Sequence, residues 1–369
     1  LRPEPGLTFC EDVPVPEVGP HDVLVRVEAA SVCGTDLHIY HWDEWSRNRV
    51  KPPITLGHEF AGTVVEVGSA VEDVEVGEFV SAESHITCGV CFQCRTGQAH
   101  MCPRTKILGV DRDGAFAEYV SVPSKVIWVN DRKKMPTEIA SLQEPFGNAV
   151  FATLVHDLPG QSVAVFGCGP IGLFSVGIAR ASGAAAIFAF DVNPYRLQLS
   201  KKMGATYAFN PKDEKGDLLD FVLEKNRGGG VDVALEMSGS PKGIEDTFRV
   251  VRTGGRVTLF GIPANPVKLD VAENIIFKNL TVFGLNGRQI FETWYKTRWL
   301  LETGVVDLNP LITLETTFDR FDEAFQRLAS GKACKIILRP STEALAQAAT
   351  TTKKEAVSGA GVQGTVHHR

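Results

Sequence analysis

Residues 21–32, HDVLVRVEAASV, alternate apolar and polar positions with a period of two, the pattern of a half-buried strand. The stretches AGTVVEVG (61–68), GEFVSAES (77–84) and GAFAEYVSVPSKVIWV (114–129) continue it, each bounded by glycine. Short β-rich runs with glycine punctuation predict a small, irregular, mainly antiparallel, barrel-like unit. The character changes near Glu144-Pro145-Phe146-Gly147-Asn148. From Ser162 apolar runs of strand length alternate with amphipathic helical stretches. SVAVF, AIFAFD, VDVALEMSG and RVTLFG are the strands, and LFSVGIARASG, NPYRLQLSKKMG and PKGIEDTFRVVRTG the helices. That alternation predicts a doubly wound parallel sheet. After Leu285 come two further helices, over 291–304 and 319–331, and a last strand, ACKIILRP. This closing portion is expected to rejoin the first unit. The expected division is a catalytic domain over 1–147 completed by 287–340, a nucleotide domain over 148–286, and a tail over 341–369. The tail is rich in Ala, Thr, Ser and Gly and reads as disordered.

The bulk numbers change little. The chain has 369 residues, long for one core and suited to two domains; 44% are hydrophobic, 22% charged, and the net charge is −6. Nothing in that balance calls for nucleic acid or an anionic membrane as partner. No run of eighteen apolar residues predicts a membrane span, and no stretch reads as a signal peptide. The chain opens on Leu1 rather than a methionine, so a shortened first strand or a processed start is expected. Cys10, Cys33, Cys168 and Cys334 are scattered, which suits a reducing cytoplasm better than a disulfide framework.

The other four cysteines are not scattered. Cys88, Cys91, Cys94 and Cys102 stand at C-x2-C-x2-C-x7-C within fifteen residues, with Gly89 and Gly97 to let the loop turn. Four soft ligands on one short loop suit a closed, structural zinc site. An iron–sulfur cluster takes the same ligands, and two disulfides use the same residues. A second motif, Gly167-Cys168-Gly169-Pro170-Ile171-Gly172, is G-x-G-x-x-G placed between a buried strand and a helix. There Gly167 permits the turn, Gly169 lets a pyrophosphate approach the backbone, and Gly172 lets helix and strand pack. Asp191 ends the next strand, where a carboxylate accepts from ribose hydroxyls and repels a 2′-phosphate, favouring NAD over NADP. Arg196 pulls the other way, and a glycine turn without any dinucleotide is the alternative.

Cys33, His58 and Glu144 each stand in a polar or glycine-bearing segment expected beside a strand, and could supply three ligands to a catalytic zinc, with Glu59 a fourth that yields to substrate or water. Such an ion lowers the pKa of bound water from ~16 to ~7. A lone histidine base contributes only ~10²–10⁴-fold, so alcohol oxidation gains more from the metal. Thr35 could pass the proton on, and His38 deliver it to solvent. A buried Cys33 acting as a small apolar residue is the plainer reading.

Taken together, CGTDLHIY, LGHEFAGTVVEVG, the four-cysteine loop, EPFGNAV and GCGPIG resemble the zinc-dependent medium-chain dehydrogenases over nearly all of residues 6–339. The stretches CGTDLHIYHWDEWSR and FETWYKTRWLLETG are similar to the branch that oxidises L-threonine. The resemblance implies an α/β fold, with a GroES-like catalytic domain and a Rossmann domain, in a homotetramer, and the cysteine pattern adds a cytoplasmic location. It implies NAD-dependent oxidation of L-threonine to 2-amino-3-oxobutanoate, with one catalytic and one structural zinc per chain. Cys33, His58 and Glu59 match the catalytic zinc ligands, and Glu144 an acidic residue that coordinates the metal or joins the proton relay. Thr35 and His38 match the relay pair, and Cys88, Cys91, Cys94 and Cys102 the structural ligands. Ile171, Asp191, Arg196, Phe260, Gly261, Ile262, Leu285 and Asn286 match NAD contacts. Phe151-Ala152 depart from the family's usual His-Thr, at a place where cofactor and active site meet. A polyol or other secondary-alcohol dehydrogenase shares the same ligands, and a non-catalytic NAD-binding protein is the reading from another class. An amino-acid substrate needs partners for its ammonium and carboxylate, and His85, Trp42 and Arg288 are the candidates.

Overall fold

A computed structural model describes residues 4–213 and 216–341. Apart from Ser341, the tail read as disordered lies outside the described residues. The first sheet has seven strands and draws on both ends of the chain. Asp22–Ser31 pairs antiparallel with Glu59–Val67, with Tyr119–Pro123 and with Lys335–Arg339. Phe79–Ala82 joins Glu59–Val67 to Ile127–Val129, and Ile312–Thr317 runs parallel to Lys335–Arg339. The closing portion of the chain therefore completes the sheet begun by its first strand.

The second sheet has six strands, all parallel: Tyr207–Phe209, Ala186–Phe190, Ser162–Phe166, Val231–Glu236, Val251–Leu259 and Thr281–Gly284 in spatial order. In chain order this is 3-2-1-4-5-6, which places the switch point between Ser162–Phe166 and Val231–Glu236. Several local expectations shift. The strand read over 114–129 pairs only at Tyr119–Pro123 and Ile127–Val129, with a 3₁₀ turn at Ser124–Val126 between. The helix read over 241–254 ends at Val250, because Val251 already belongs to a strand. Tyr207–Phe209 and Thr281–Gly284 are too short to show a period in sequence.

One helix, Gln143–Leu154, packs between the sheets and is buried along most of its length. Phe146, Ala149 and Val150 join a core that contains Ala29, Ala61 and Phe79 of the first sheet and Leu173 and Phe174 of the helix Pro170–Ala181. Phe146 meets Phe174 edge-on at 5.4 Å. Burying a phenylalanine completely contributes about 1.5–3 kcal/mol. This helix thus fixes one sheet against the other, and its first turn carries Glu144. Among the described residues no helix is long and apolar enough to cross a membrane.

Candidate active site and metal centres

Cys33 caps the helix Gly34–His41, and its backbone N–H donates to Asp36 Oδ2 at 2.9 Å. Asp36 is fully buried, and its Oδ1 lies 3.7 Å from His58 Nδ1. Glu59 begins its strand, and its Oε2 accepts from Ser31 Oγ and from Lys335 Nζ. Lys335 is itself buried and donates to the Val32 carbonyl at 3.0 Å. Ligand atoms of Cys33, His58 and Glu59 all lie within 4.8 Å of one another. Glu59 Oε1 is buried and accepts no hydrogen bond. An unpartnered buried carboxylate oxygen is costly, and a cation at this point would satisfy it. A thiolate, an imidazole and a carboxylate form the mixed ligand set that suits zinc.

Glu144 is not in that group. It stands in the first turn of a helix rather than in a short polar segment beside a strand, and it clusters with Glu83 and His85. Its Oε1 accepts from Ser84 Oγ and Arg288 Nη2, both at 2.5 Å. Arg288 is 1% exposed and also donates from Nε to Glu83 Oε2 at 2.7 Å and from Nη1 to Asn148 Oδ1 at 3.0 Å. Burial opposes the charge on Glu83, but Arg288 outweighs it and holds the carboxyl well below the usual range. Burial likewise opposes the charge on Glu144, and Arg288 and then His58 bring its carboxyl below the ordinary value. The guanidinium fills this second group, so it is an internal ion-pair network and not a further metal site. Arg288 is therefore committed to two carboxylates and is not free to hold a substrate carboxylate. Trp42 is also no pocket residue, because it packs in a small core with Ile39, Val50, Leu56 and Val110.

Thr35 Oγ1 lies 3.8 Å from Cys33 Sγ. His38, one turn on, is largely exposed, and its Nδ1 is 2.6 Å from Asp43 Oδ2. The four loop cysteines also come together, with Sγ separations of 3.5 Å for Cys88–Cys102, 3.8 Å for Cys91–Cys102 and 3.9 Å for Cys88–Cys94. Four sulfurs ~2.3 Å from one tetrahedral ion would be ~3.8 Å apart, whereas a disulfide needs ~2.05 Å. All eight cysteines are free thiols. Arg104 Nη2 donates to Cys88 Sγ at 3.2 Å. A backbone bond at Val90, with further bonds in the loop, brings the Cys88 thiol down to about 6.

The glycine turn behaves as three distinct positions. Gly167 has φ +88°, and a Cβ there would meet Ser238 at 2.8 Å. A Cβ on Gly172 would lie 1.9 Å from the Gly167 carbonyl oxygen. A Cβ on Gly169 would meet nothing, so the space above the helix N-terminus is open to a ligand. Asp191 Oδ2 accepts from the Cys168 N–H at 2.7 Å, and Arg196 Nη1 lies 3.9 Å from the same oxygen. The backbone N–H groups of Phe260 and Gly261 both donate to the Glu236 carbonyl, while Ile262 and Asn286 are exposed. These residues border the carboxyl ends of the parallel strands at the switch point, where a dinucleotide fits.

Residues 19–131 match the family of alcohol dehydrogenase GroES-like domains, and residues 170–303 match the zinc-binding dehydrogenases. The chain is 49% identical to an L-threonine 3-dehydrogenase of Symbiobacterium thermophilum, covering 93% of this chain and 97% of that protein. The chain belongs to the zinc-dependent medium-chain dehydrogenases. A second L-threonine 3-dehydrogenase, from Bacillus subtilis, is 46% identical over 89% of this chain and 94% of its own. Among solved structures, 2R,3R-butanediol dehydrogenase from Bacillus subtilis superposes with a TM-score of 0.81 at 29% identity, covering 90% of this chain and 96% of that one. Alcohol dehydrogenase from Thermus sp. ATN1 gives 0.82 at 29% identity, with coverage of 90% and 96%.

In this dehydrogenase several groups around the centre escaped sequence reasoning: Asp36, Glu83, Ser84 and Lys335. Two left a signal. An aspartate three residues after Cys33 is a helix-start residue, and a lysine inside the apolar run ACKIILRP requires a buried partner. Phe151, where the family usually has histidine, is half-buried and meets the His100 ring edge-on at 5.6 Å. Ala152 is fully buried, and its carbonyl accepts from Thr258 Oγ1 at 3.2 Å.

Proposed function

We propose that the protein oxidises the 3-hydroxyl of L-threonine to 2-amino-3-oxobutanoate, with NAD as hydride acceptor. The observation that carries the reading is the Cys33–His58–Glu59 group, with His58 and Glu59 buried and Cys33 half-buried, and its unpartnered Glu59 Oε1. Zinc bound there supplies the Lewis acidity that makes a hydroxyl acidic at neutral pH, and nicotinamide supplies the hydride acceptor. Thr35 Oγ1, next to Cys33, accepts the hydroxyl proton and passes it to His38, whose exposure opens the path to water. Asp36, with its Oδ1 3.7 Å from His58 Nδ1, sets a buried negative charge behind the imidazole. Gly167, Gly169, Ile171 and Gly172 seat the pyrophosphate. Asp191, with Arg196, takes the adenosine ribose; Phe260, Gly261, Ile262, Leu285 and Asn286 line the nicotinamide half. Cys88, Cys91, Cys94 and Cys102 hold a structural zinc.

An amino alcohol is favoured over a neutral polyol by charge. Glu83 and Glu144 stand against one guanidinium, with His85 Nδ1 2.9 Å from Glu83, and this surplus of carboxylate supports an ammonium-bearing substrate over a neutral polyol. The catalytic domain comprises 1–147 and 287–340, and the nucleotide domain 148–286. The assembly is a homotetramer, supported by the exposed Phe277, Tyr295 and Trp299. The compartment is the cytoplasm, supported by eight unpaired cysteines.

The test is NADH formation by the zinc-loaded protein with L-threonine, D-threonine, sorbitol and 2,3-butanediol in parallel. Turnover that favours L-threonine and vanishes in Cys33→Ser is expected. Preference for a polyol overturns the substrate assignment, and NAD binding without any turnover overturns the catalytic one.

A further inference from the structure

The four-cysteine loop is drawn together by more than its spacing. Cys102, Pro103, Arg104 and Thr105 form a turn, closed by the Thr105 N–H on the Cys102 carbonyl at 3.1 Å and by Thr105 Oγ1 on the same oxygen at 2.8 Å. Pro103 stands second in that turn, where the fixed φ of a proline is favoured. The turn folds Arg104 back over the loop. Its backbone N–H donates to Cys102 Sγ, and its side chain reaches Cys88, with Nη2 donating to Sγ at 3.2 Å. One residue thus serves two of the four sulfurs. The backbone N–H groups of Val90 and Cys91 also donate to Cys88 Sγ, and that of Cys94 donates to Cys91 Sγ. These are neutral amides, whereas the side chain of Arg104 brings a full charge. Among the described residues its guanidinium meets no carboxylate, so the sulfur is the anion it faces.

We infer that Arg104 is a positioning residue of the structural zinc site, which holds the Cys88 sulfur on the ion and shields it from electrophiles. Four thiolates around one Zn²⁺ leave an excess of negative charge on the sulfurs. An N–H carried by a cation draws on that charge more than a neutral amide does, because charge-assisted bonds are roughly twice as strong. Spreading the charge stabilises the complex. It also makes the sulfur a poorer nucleophile, and the nucleophilic thiolate is what reagents attack. Protection is needed because the loop lies near solvent: Val90 and Phe92 are exposed, and Cys88, Cys91 and Cys94 are half-buried. Arg95 is on the same loop with the same charge, and its side chain donates to no sulfur among the described residues. The inference rests on reading the four cysteines as zinc ligands, and it is independent of the substrate and of the catalytic centre.

The test treats the full-length, zinc-loaded protein with N-ethylmaleimide beside a colorimetric zinc chelator. Mass spectrometry reads alkylation of the peptides that carry Cys88, Cys91, Cys94 and Cys102 separately from the peptide that carries Cys33. Arg104→Gln should speed alkylation of the loop thiols, and the zinc release that accompanies it, about tenfold or more, the scale of losing a group that holds a metal ligand in place. Arg95→Gln removes the same charge from the loop without removing a bond to sulfur, so it should keep the wild-type rates. Arg104→Lys keeps a cation on a flexible stem, so its rates should lie between those of the wild type and of Arg104→Gln, and it decides the matter if Arg104→Gln does not fold. Wild-type rates in every folded Arg104 variant overturn the inference, as does an equal acceleration in Arg95→Gln. Wild-type protein whose loop thiols are alkylated with no zinc released overturns the metal reading itself, and the inference with it.

Discussion

Replacing Glu83 by glutamine would test the buried ion pairs beneath the proposed site. Glu83 is fully buried and accepts from Arg288 Nε at 2.7 Å, from Arg288 Nη2, from Trp294 Nε1 at 2.8 Å and from the His85 backbone N–H at 2.9 Å. Glutamine keeps one acceptor but turns an NH₂ group toward donors, and it removes one of the two charges that balance Arg288. Breaking a buried pair costs about 3–5 kcal/mol, and the surviving Glu144 contact puts this case near ~3 kcal/mol. At about 2 °C per kcal/mol for a chain of this size, the melting temperature at pH 7 should fall by ~6 °C. The pH dependence gives an independent check. The folded carboxyl lies below its unfolded value, so its stabilisation is present above pH ~4.3 and is lost as pH falls through the folded value. The gap between wild type and variant should hold from neutral pH to about pH 5.5 and then close on further acidification. Calorimetry across that range decides it. A fall under about 1 °C at pH 7, or a gap that widens with acid, would refute the reasoning.

His156 is buried with its Nε2 2.7 Å from Thr258 Oγ1, and burial, followed by the charge of Arg256, pushes it down to about 4. The unfolded chain therefore takes up the proton first, and stability should drop by up to ~3 kcal/mol as pH falls from ~6.5 to ~4. His156→Gln should flatten that slope in urea titrations, and parallel slopes would contradict the assignment. Gly169→Ala adds a methyl group where no protein atom stands, so the melting temperature should be unchanged while NADH affinity drops about tenfold or more. Gly172→Ala should lower both, because its Cβ meets the Gly167 carbonyl. Fluorescence titration of NADH separates the two variants, and wild-type affinity in Gly169→Ala would remove the pyrophosphate from this turn.

Local chemistry was legible in the chain itself. Four thiols within one loop and three glycines between a strand and a helix are short-range patterns, and a backbone can satisfy them in few ways. The period-two and helical runs likewise fixed where most strands and helices lie, because burial on one face imposes its own spacing. Boundaries were less legible where a β-branched pair, Val250-Val251, suits both a helix end and a strand start. What the sequence could not decide was which distant charges meet. Glu83 and Arg288 are 205 residues apart, Glu144 and Arg288 144, and Glu59 and Lys335 276. Lys335, inside an apolar run, signals that it needs a buried partner but not which one, and the others could equally face water when read alone. The helix Gln143–Leu154, packed between the two sheets, carries Glu144 into the buried group with Glu83 and Arg288, and strand pairing in the first sheet buries Glu59 with Lys335. A charge there must find an opposite charge, so the tertiary structure turned a free arginine into the clamp on Glu144 and left Glu59 with one oxygen to spare.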